Sequence, residues 1–390
     1  MVSFDNTENA FSGKKEADLN RSYWLFNMVS RPWMVNFGKV ATEWSLALHL
    51  PISGLVKATI FKQFCGGENI EECNKTIQEL GKYHIGTILD YSVEGKESDA
   101  DFDATTRETI ATIARAKGEK NIPFSVFKVT GVASHAILEK VSAKAKLTAE
   151  EEKEFERVYK RVKSICEAAY QAHVPLFIDA EATWTQEAID NLANEMMETF
   201  NKERTVVYTT YQFYRKDRLD YLKKAYEHAK ANNYFLGVKL VRGAYMEKER
   251  ERAAQMGYPS PIHDTKADTD KAFDDALTFC IANKSRIAIC AGTHNENSSM
   301  LLTKLMEANK ISIDDKHIYF SQLYGMSDHI SYNLSKAGYN VAKYVPYGPV
   351  KEVLPYLIRR AQENTSVKGQ TGRELSLIIK ERKRRNEQNM

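Results

Sequence analysis

The sequence predicts an α/β fold: a (β/α)8 barrel of TIM type with an N-terminal helical arm and a C-terminal helix. Three observations carry that prediction. Eight short apolar runs recur along the chain, bounded by polar turn residues. Long stretches with helical periodicity separate them. The runs are nearly continuous in apolar residues, the pattern of parallel strands covered by helices.

The first 80 residues stand outside the alternation. "RPWMVNFGKVATEWSLALHLPISGLVKATIFKQFCGG" reads as helices, an arm over 1–80 packed on the barrel. The strand candidates follow in order: 84–93, 123–130, 174–182, 205–214, 233–245, 286–293, 317–323 and 339–348. Most are β-branched or aromatic. Between the second and third lies "TAEEEKEFERVYKRVKSICEAAYQAH". Its Phe155, Val158, Val162, Ile165 and Ala169 repeat at helical spacing, and Thr148 with Glu151 forms a capping-box signature. "RLDYLKKAYEHAKANN" and "DKAFDDALTFCIANK" follow the same period. After the last strand, "GPVKEVLPYLIRRAQEN" reads as a helix with Pro349 in its first turn and a kink or irregular start at Pro355. The barrel spans 81–364. The tail over 365–390 is a basic amphipathic helix, read either as a solvated surface or as a contact for a membrane or partner.

Composition narrows the function classes. The chain has 390 residues, 43% of them hydrophobic and 27% charged, which suits a soluble protein with a sizeable core. A net charge of +3 gives no electrostatic case for a nucleic-acid partner. The five cysteines form no C-x-x-C pair, the usage of a reducing compartment. No apolar run approaches the ~18–20 residues of a membrane span. G-x-G-x-x-G and P-loop signatures are absent, which disfavours a Rossmann fold and a P-loop. Metal-ligand spacings are absent too, so no metal is expected.

In such a barrel, polar residues at strand C-termini face the mouth where a ligand meets them. The candidates are Lys128, Asp179, Gln212, Lys239, Arg242, Thr293, His294, Gln322 and Tyr344. For three of them a structural and a functional reading both stay open. Lys128 is a half-exposed strand position, or an anion binder or Schiff-base amine. Asp179 is a structural carboxylate, or one that orients a cation. His294 caps the next helix, or faces a ligand. Arg359 and Arg360 diverge by ~100° around a helix. They form either an ordinary Arg359–Glu363 surface pair or a two-guanidinium clamp, since the guanidinium fork matches a carboxylate.

Four stretches then carry a resemblance: "YLIRRAQEN", "VKLVRGAY", "FIDAEA" and "GTHN" resemble the motifs of monofunctional proline dehydrogenases, in the family's order. The resemblance covers roughly residues 80–385, and Y-x-x-R-R-x-x-E-N is its most specific part. It implies a distorted (β/α)8 barrel that binds FAD without a Rossmann module. The implied reaction oxidises L-proline to Δ1-pyrroline-5-carboxylate by hydride transfer from C5 to flavin N5, the first step of proline breakdown to glutamate, with electrons passed to membrane quinone. By the same resemblance, Arg359, Arg360 and Lys128 hold the proline carboxylate. Tyr344, Tyr356, Tyr245 and Leu323 wall the ring. Asp179 and Lys239 are the catalytic pair, with Asp179 near the substrate amine and Lys239 near the flavin. A lysine there is similar to the eukaryotic branch, where many bacterial members carry arginine. Ala180, Gln212, Arg242, Gly243, Ala244, Thr293, His294 and Gln322 contact FAD, as do Lys266 and Thr269 toward its phosphate or adenosine end.

Alternatives remain at this stage. A hydroxyproline dehydrogenase is the near neighbour, and Tyr344 pressed on C4 favours proline over it. Strand-end lysines with an anion clamp also suit a Schiff-base aldolase, and a flavin-free amino-acid-binding module would keep the arginines. The basic tail is a candidate for peripheral membrane contact. The opening residues lack a secretory h-region and an Arg-rich transit pattern. They lead to the expectation of a bacterial cytoplasm with inner-membrane association rather than a mitochondrial matrix.

Overall fold

A computed structural model describes residues 2–29, 53–93, 97–366 and 370–388, with the side chains of 29, 53, 55, 359–366, 370 and 371 excepted. Eight parallel strands close into a barrel in sequence order. They are β1 (Ile85–Tyr91), β2 (Phe124–Lys128), β3 (Leu176–Asp179), β4 (Val207–Gln212), β5 (Leu236–Val241), β6 (Ile287–Gly292), β7 (Ile318–Leu323) and β8 (Val341–Tyr347). Each falls inside its predicted run and is shorter, because the polar ends of the runs enter loops. Every residue of β4 and β8 is buried, as expected for strands covered on both sides.

Helices fill the gaps as the periodicity requires. The helix Ala149–Ala172 starts at Thr148, whose hydroxyl caps Glu151 N–H while the Glu151 carboxylate returns to Thr148 N–H, a complete capping box. Its Val158, Val162, Ile165 and Ala169 are buried, whereas Phe155 is half-buried. The helix after β8, Val350–Ser366, runs through Pro355. The missing N–H leaves the Lys351 carbonyl without its helical donor. Lys351 is exposed, so water can take that place.

By internal contacts the chain divides into two compact units, 1–95 with 322–390, and 96–321. In the second, Phe124 stacks on Phe177 at 4.4 Å, and Tyr319 meets Phe124 edge-on at 4.8 Å. In the first, Phe61, Phe64, Met326, Val353, Tyr356 and Leu357 form one buried cluster against which Leu323 packs. The arm is helical over Thr7–Ala10, Glu16–Val29, Ser53–Val56 and Ile70–Gly81, with a π-turn at Lys57–Phe61. Of its predicted helical stretch, residues 31–52 lie outside the described residues.

The C-terminal helix, Gln370–Gln388, is not simply a solvated face. Leu377 and Ile378 are buried with Ala10, Phe11, Leu19 and Phe26. Arg385 donates to the Phe11 and Lys14 carbonyls, both at 2.9 Å, and Arg373 to Asp5 Oδ1 at 2.7 Å. It leaves Ile379 exposed on a surface shared with Tyr23, Arg382 and Lys383, and places Arg382 4.3 Å from the Tyr23 ring. No helix among the described residues is long and apolar enough to cross a membrane.

Candidate functional site

The C-terminal ends of β2 to β6 bring together most of the polar residues singled out from sequence. Lys128 closes β2 in register with Asp179, which closes β3. Lys239 lies on β5 with 5% of its surface exposed, and its Nζ donates to Asp179 Oδ1 at 2.5 Å. A buried ammonium is costly unless paired, and the carboxylate supplies the pair. The same ammonium sits 5.4 Å from the Phe177 ring centroid. Thr210 donates to the Ile178 carbonyl at 2.9 Å and lies 3.5 Å from Asp179 Oδ1. Asp179 is thus held between a cation and a hydroxyl at a strand end.

One step along, Ala180 is half-buried and Glu181 is buried. Glu181 accepts from Thr130 N–H at 3.0 Å and from Thr130 Oγ1 at 2.5 Å. Burial pushes its carboxyl up, against the two Thr130 bonds. Gln212 donates to the Glu181 carbonyl at 2.7 Å, so the ends of β3 and β4 are locked to each other. Sequence reading did not single out Glu181, although a second carboxylate in the apolar run "LFIDAEA" was the signal for a buried, partnered group beside Asp179.

Arg242 just follows β5 and spreads its fork over three partners. It donates to Asp270 Oδ1 at 2.7 Å, Thr293 Oγ1 at 2.7 Å and Ser298 Oγ at 2.9 Å, and its guanidinium lies 4.5 Å from the Phe273 ring. Burial of Asp270 would raise its carboxyl, but hydrogen bonds from Lys266 and Arg242 hold it below the usual carboxylate range. Lys266 is an exposed first-turn residue 2.5 Å from Asp270 Oδ2. Thr269 is buried, its hydroxyl 3.5 Å from the Thr265 carbonyl. His294 is half-buried and does not cap the next helix; Asn295 does, through Ser298 N–H.

Gly243 has φ +133°, and a Cβ there would come 2.5 Å from the Tyr214 ring. Only glycine makes this turn without strain. The turn leaves Gly243 and Ala244 exposed and Tyr245 half-buried. A guanidinium held in a rigid hydroxyl-and-carboxylate frame, an open glycine backbone and a buried ammonium suit a flat cofactor that carries phosphate. The residues present therefore fit a phosphate-bearing cofactor of the flavin class. Among the described residues, no group of three or more His, Cys, Asp or Glu is placed to hold a metal ion.

The unit formed by 1–95 and 322–390 carries the remaining candidates. Gln322 is buried and accepts from Ser331 Oγ at 2.8 Å. Leu323 packs on the cluster that contains Tyr356. Tyr344 is buried on β8 opposite Ile88, and its carbonyl accepts from Tyr324 N–H at 2.8 Å. Arg359 and Arg360 fall in the helix Val350–Ser366, but their side chains lie outside the described residues.

Residues 73–373 match the family model described as proline dehydrogenase. The chain is 34% identical over 384 residues to proline dehydrogenase 1, mitochondrial, of Dictyostelium discoideum, covering 87% of this chain and 67% of that one. It is 33% identical over 428 residues to proline dehydrogenase 1, mitochondrial, of Arabidopsis thaliana, covering 96% of this chain and 85% of that one. Among solved structures, it is similar in fold to proline utilization A from Bdellovibrio bacteriovorus inactivated by N-propargylglycine. That match has a TM-score of 0.73 and 20% identity; it covers 92% of this chain and 38% of the longer one. The mitochondrial relatives overturn the expectation of a bacterial cytoplasm and inner membrane. That expectation leaned on the opening residues, where targeting patterns are weak signals.

Proposed function

The chain belongs to the proline dehydrogenase family, and from that premise we propose that it oxidises L-proline to Δ1-pyrroline-5-carboxylate, with FAD bound at the strand ends and a membrane quinone as final electron acceptor. The observation that carries this reading is the Lys239–Asp179 pair at 2.5 Å, set at the C-terminal ends of neighbouring parallel strands. An anion clamp of Arg359, Arg360 and Lys128 holds the proline carboxylate at one end. Tyr344, Tyr356, Tyr245 and Leu323 wall the ring. Fixing the carboxylate fixes where C5 lies, which makes the oxidation effectively unimolecular.

Bound FAD supplies the two-electron acceptor. Arg242, Thr293 and the Gly243–Ala244 backbone would hold its phosphate-bearing part, while Gln212, Lys239, Ala180, His294 and Gln322 would face the remainder. Asp179 lies near the substrate amine and holds Lys239 in place. The amine must be unprotonated to assist loss of hydride, so kcat/KM should rise with pH between about 6 and 9. A flat profile would count against this mechanism.

The purified protein should be yellow, with absorbance near ~450 nm that bleaches on adding proline. A colourless protein trapped by borohydride with its substrate would favour the Schiff-base alternative. Binding without turnover of a dye acceptor would favour a mere amino-acid binder. For the quinone step, the surface of Tyr23, Ile379, Arg382 and Lys383 supports a peripheral membrane contact, being both apolar and basic. Replacing Arg382 and Lys383 together by glutamate should weaken binding to anionic vesicles; unchanged binding would remove that contact.

A further inference from the structure

The turn after β7 is tied down by buried polar groups that the proposed reaction does not use. Lys343 is fully buried on β8, one residue before Tyr344. Its ammonium donates to Asp328 Oδ1 at 2.7 Å, to the Met326 carbonyl at 2.7 Å and to the Leu323 carbonyl at 3.4 Å. Asp328 Oδ2 meets Lys14 Nζ at 3.0 Å. Lys14 also donates to Ser22 Oγ at 3.0 Å, and Ser22 donates to Gln63 Oε1 at 3.0 Å. Gln63 Nε2 then donates to the Gly325 carbonyl at 2.9 Å. The series leaves the turn at Met326 and returns to it at Gly325, a closed ring of groups that are all buried except the half-buried Lys14. The C-terminal helix adds a further tie, since Glu374 accepts from Ser327 N–H.

The backbone inside this ring has little freedom. Gly325 has φ +77°, and a Cβ there would lie 2.0 Å from the Gln63 carbonyl oxygen. Ser327 also adopts a left-handed conformation, with φ +49°. A buried lysine and a half-buried one sharing a buried carboxylate are a poor way to gain stability, because desolvation offsets much of their attraction. Directed bonds of this kind select one arrangement of the groups that make them. The groups here are the carbonyls of Leu323, Gly325 and Met326. Tyr324 N–H meanwhile binds the Tyr344 carbonyl at 2.8 Å, which ties the residue after β7 to the backbone of Tyr344.

We infer that Lys14, Asp328 and Lys343 are positioning residues. Through them the N-terminal segment sets where Leu323 and Tyr344 stand, and thereby how tightly the substrate ring is held. This rests on the reading that those two side chains wall the substrate. Its test is Lys14→Met beside Lys14→Arg in the full FAD-loaded chain. KM and kcat for proline are measured with a dye acceptor, and hydrogen exchange is measured over 322–328. Lys14→Met should raise KM between about fivefold and a hundredfold with a smaller change in kcat. Exchange should quicken at 322–328 and not in the helix Arg218–Ala231. Lys14→Arg should restore both toward wild type.

Unchanged exchange at 322–328 would overturn the ring as a constraint. Faster exchange with an unchanged KM would overturn its link to the substrate. If Lys14→Met does not fold, Ser22→Ala opens the same ring with a smaller change and is read in the same two ways. Wild-type protein that turns over no proline would sink the functional reading instead, and the exchange measurement still decides whether the ring holds the turn.

Discussion

Lys239 shows how single residues could be found and where that stopped. A lysine inside an apolar strand is anomalous unless paired, which drew attention to Lys239 and Lys128 alike. The same anomaly stands in "VAKYV", yet Lys343 went unnoticed because its partner Asp328 opens the preceding helix and Lys14 lies far away in sequence. Two predictions belong at this scale. Arg359→Met or Arg360→Met should raise KM for proline at least about tenfold, since a hydrogen bond to a charged group is worth ~1.5–3 kcal/mol. The circular dichroism spectrum should not change. An unaltered KM would mean that the pair decorates the surface. Tyr344→Ser opens space beside the substrate ring and should raise the hydroxyproline-to-proline ratio of kcat/KM. A constant ratio would remove Tyr344 from the specificity wall.

At the scale of elements, periodicity was most legible where a segment buries one stripe or two faces. All eight strands lie within their predicted runs because parallel strands under helices leave nearly continuous apolar sequence. The capping box at Thr148 and Glu151 was equally plain, being a local bond pattern. The C-terminal helix was the harder case. Its basic residues suggested a free face, but several of them bind backbone and side chains of the N-terminal segment, contacts that no local pattern encodes. Ile378 is fully buried in that seam. Ile378→Ala should cost ~2–5 kcal/mol in urea unfolding. A loss below about 1 kcal/mol would show the helix to be a loose appendage.

For the whole molecule, acid stability should report the buried cluster. Burial alone would push the Asp328 carboxyl up, but the ammonium groups of Lys14 and Lys343 outweigh it and hold it well below the usual carboxylate range. The folded chain then binds fewer protons than the unfolded one between that depressed value and the ordinary ~3.9 of an aspartate. Stability is fully present above this window and falls as pH drops through it. Asp217, held at about 2 against its own partial burial by Arg218 and Arg215, acts in the same direction, whereas the raised Glu181 acts in the opposite one. The comparison that isolates Asp328 is Lys14→Met, which removes one ammonium and should flatten the loss of unfolding free energy between about pH 4 and 2. Parallel curves for the two proteins would refute the assignment. The sequence by itself determined the barrel, its strand order and the motif residues at strand ends, because apolar periodicity and short motifs are local properties of the chain. Only the tertiary structure decided that Lys239 rests on Asp179, that Arg242 is framed by Asp270 and Thr293, and that Lys14 reaches Asp328. Those pairings join residues tens to hundreds of positions apart, and which buried charge meets which partner is settled by packing rather than by spacing along the chain.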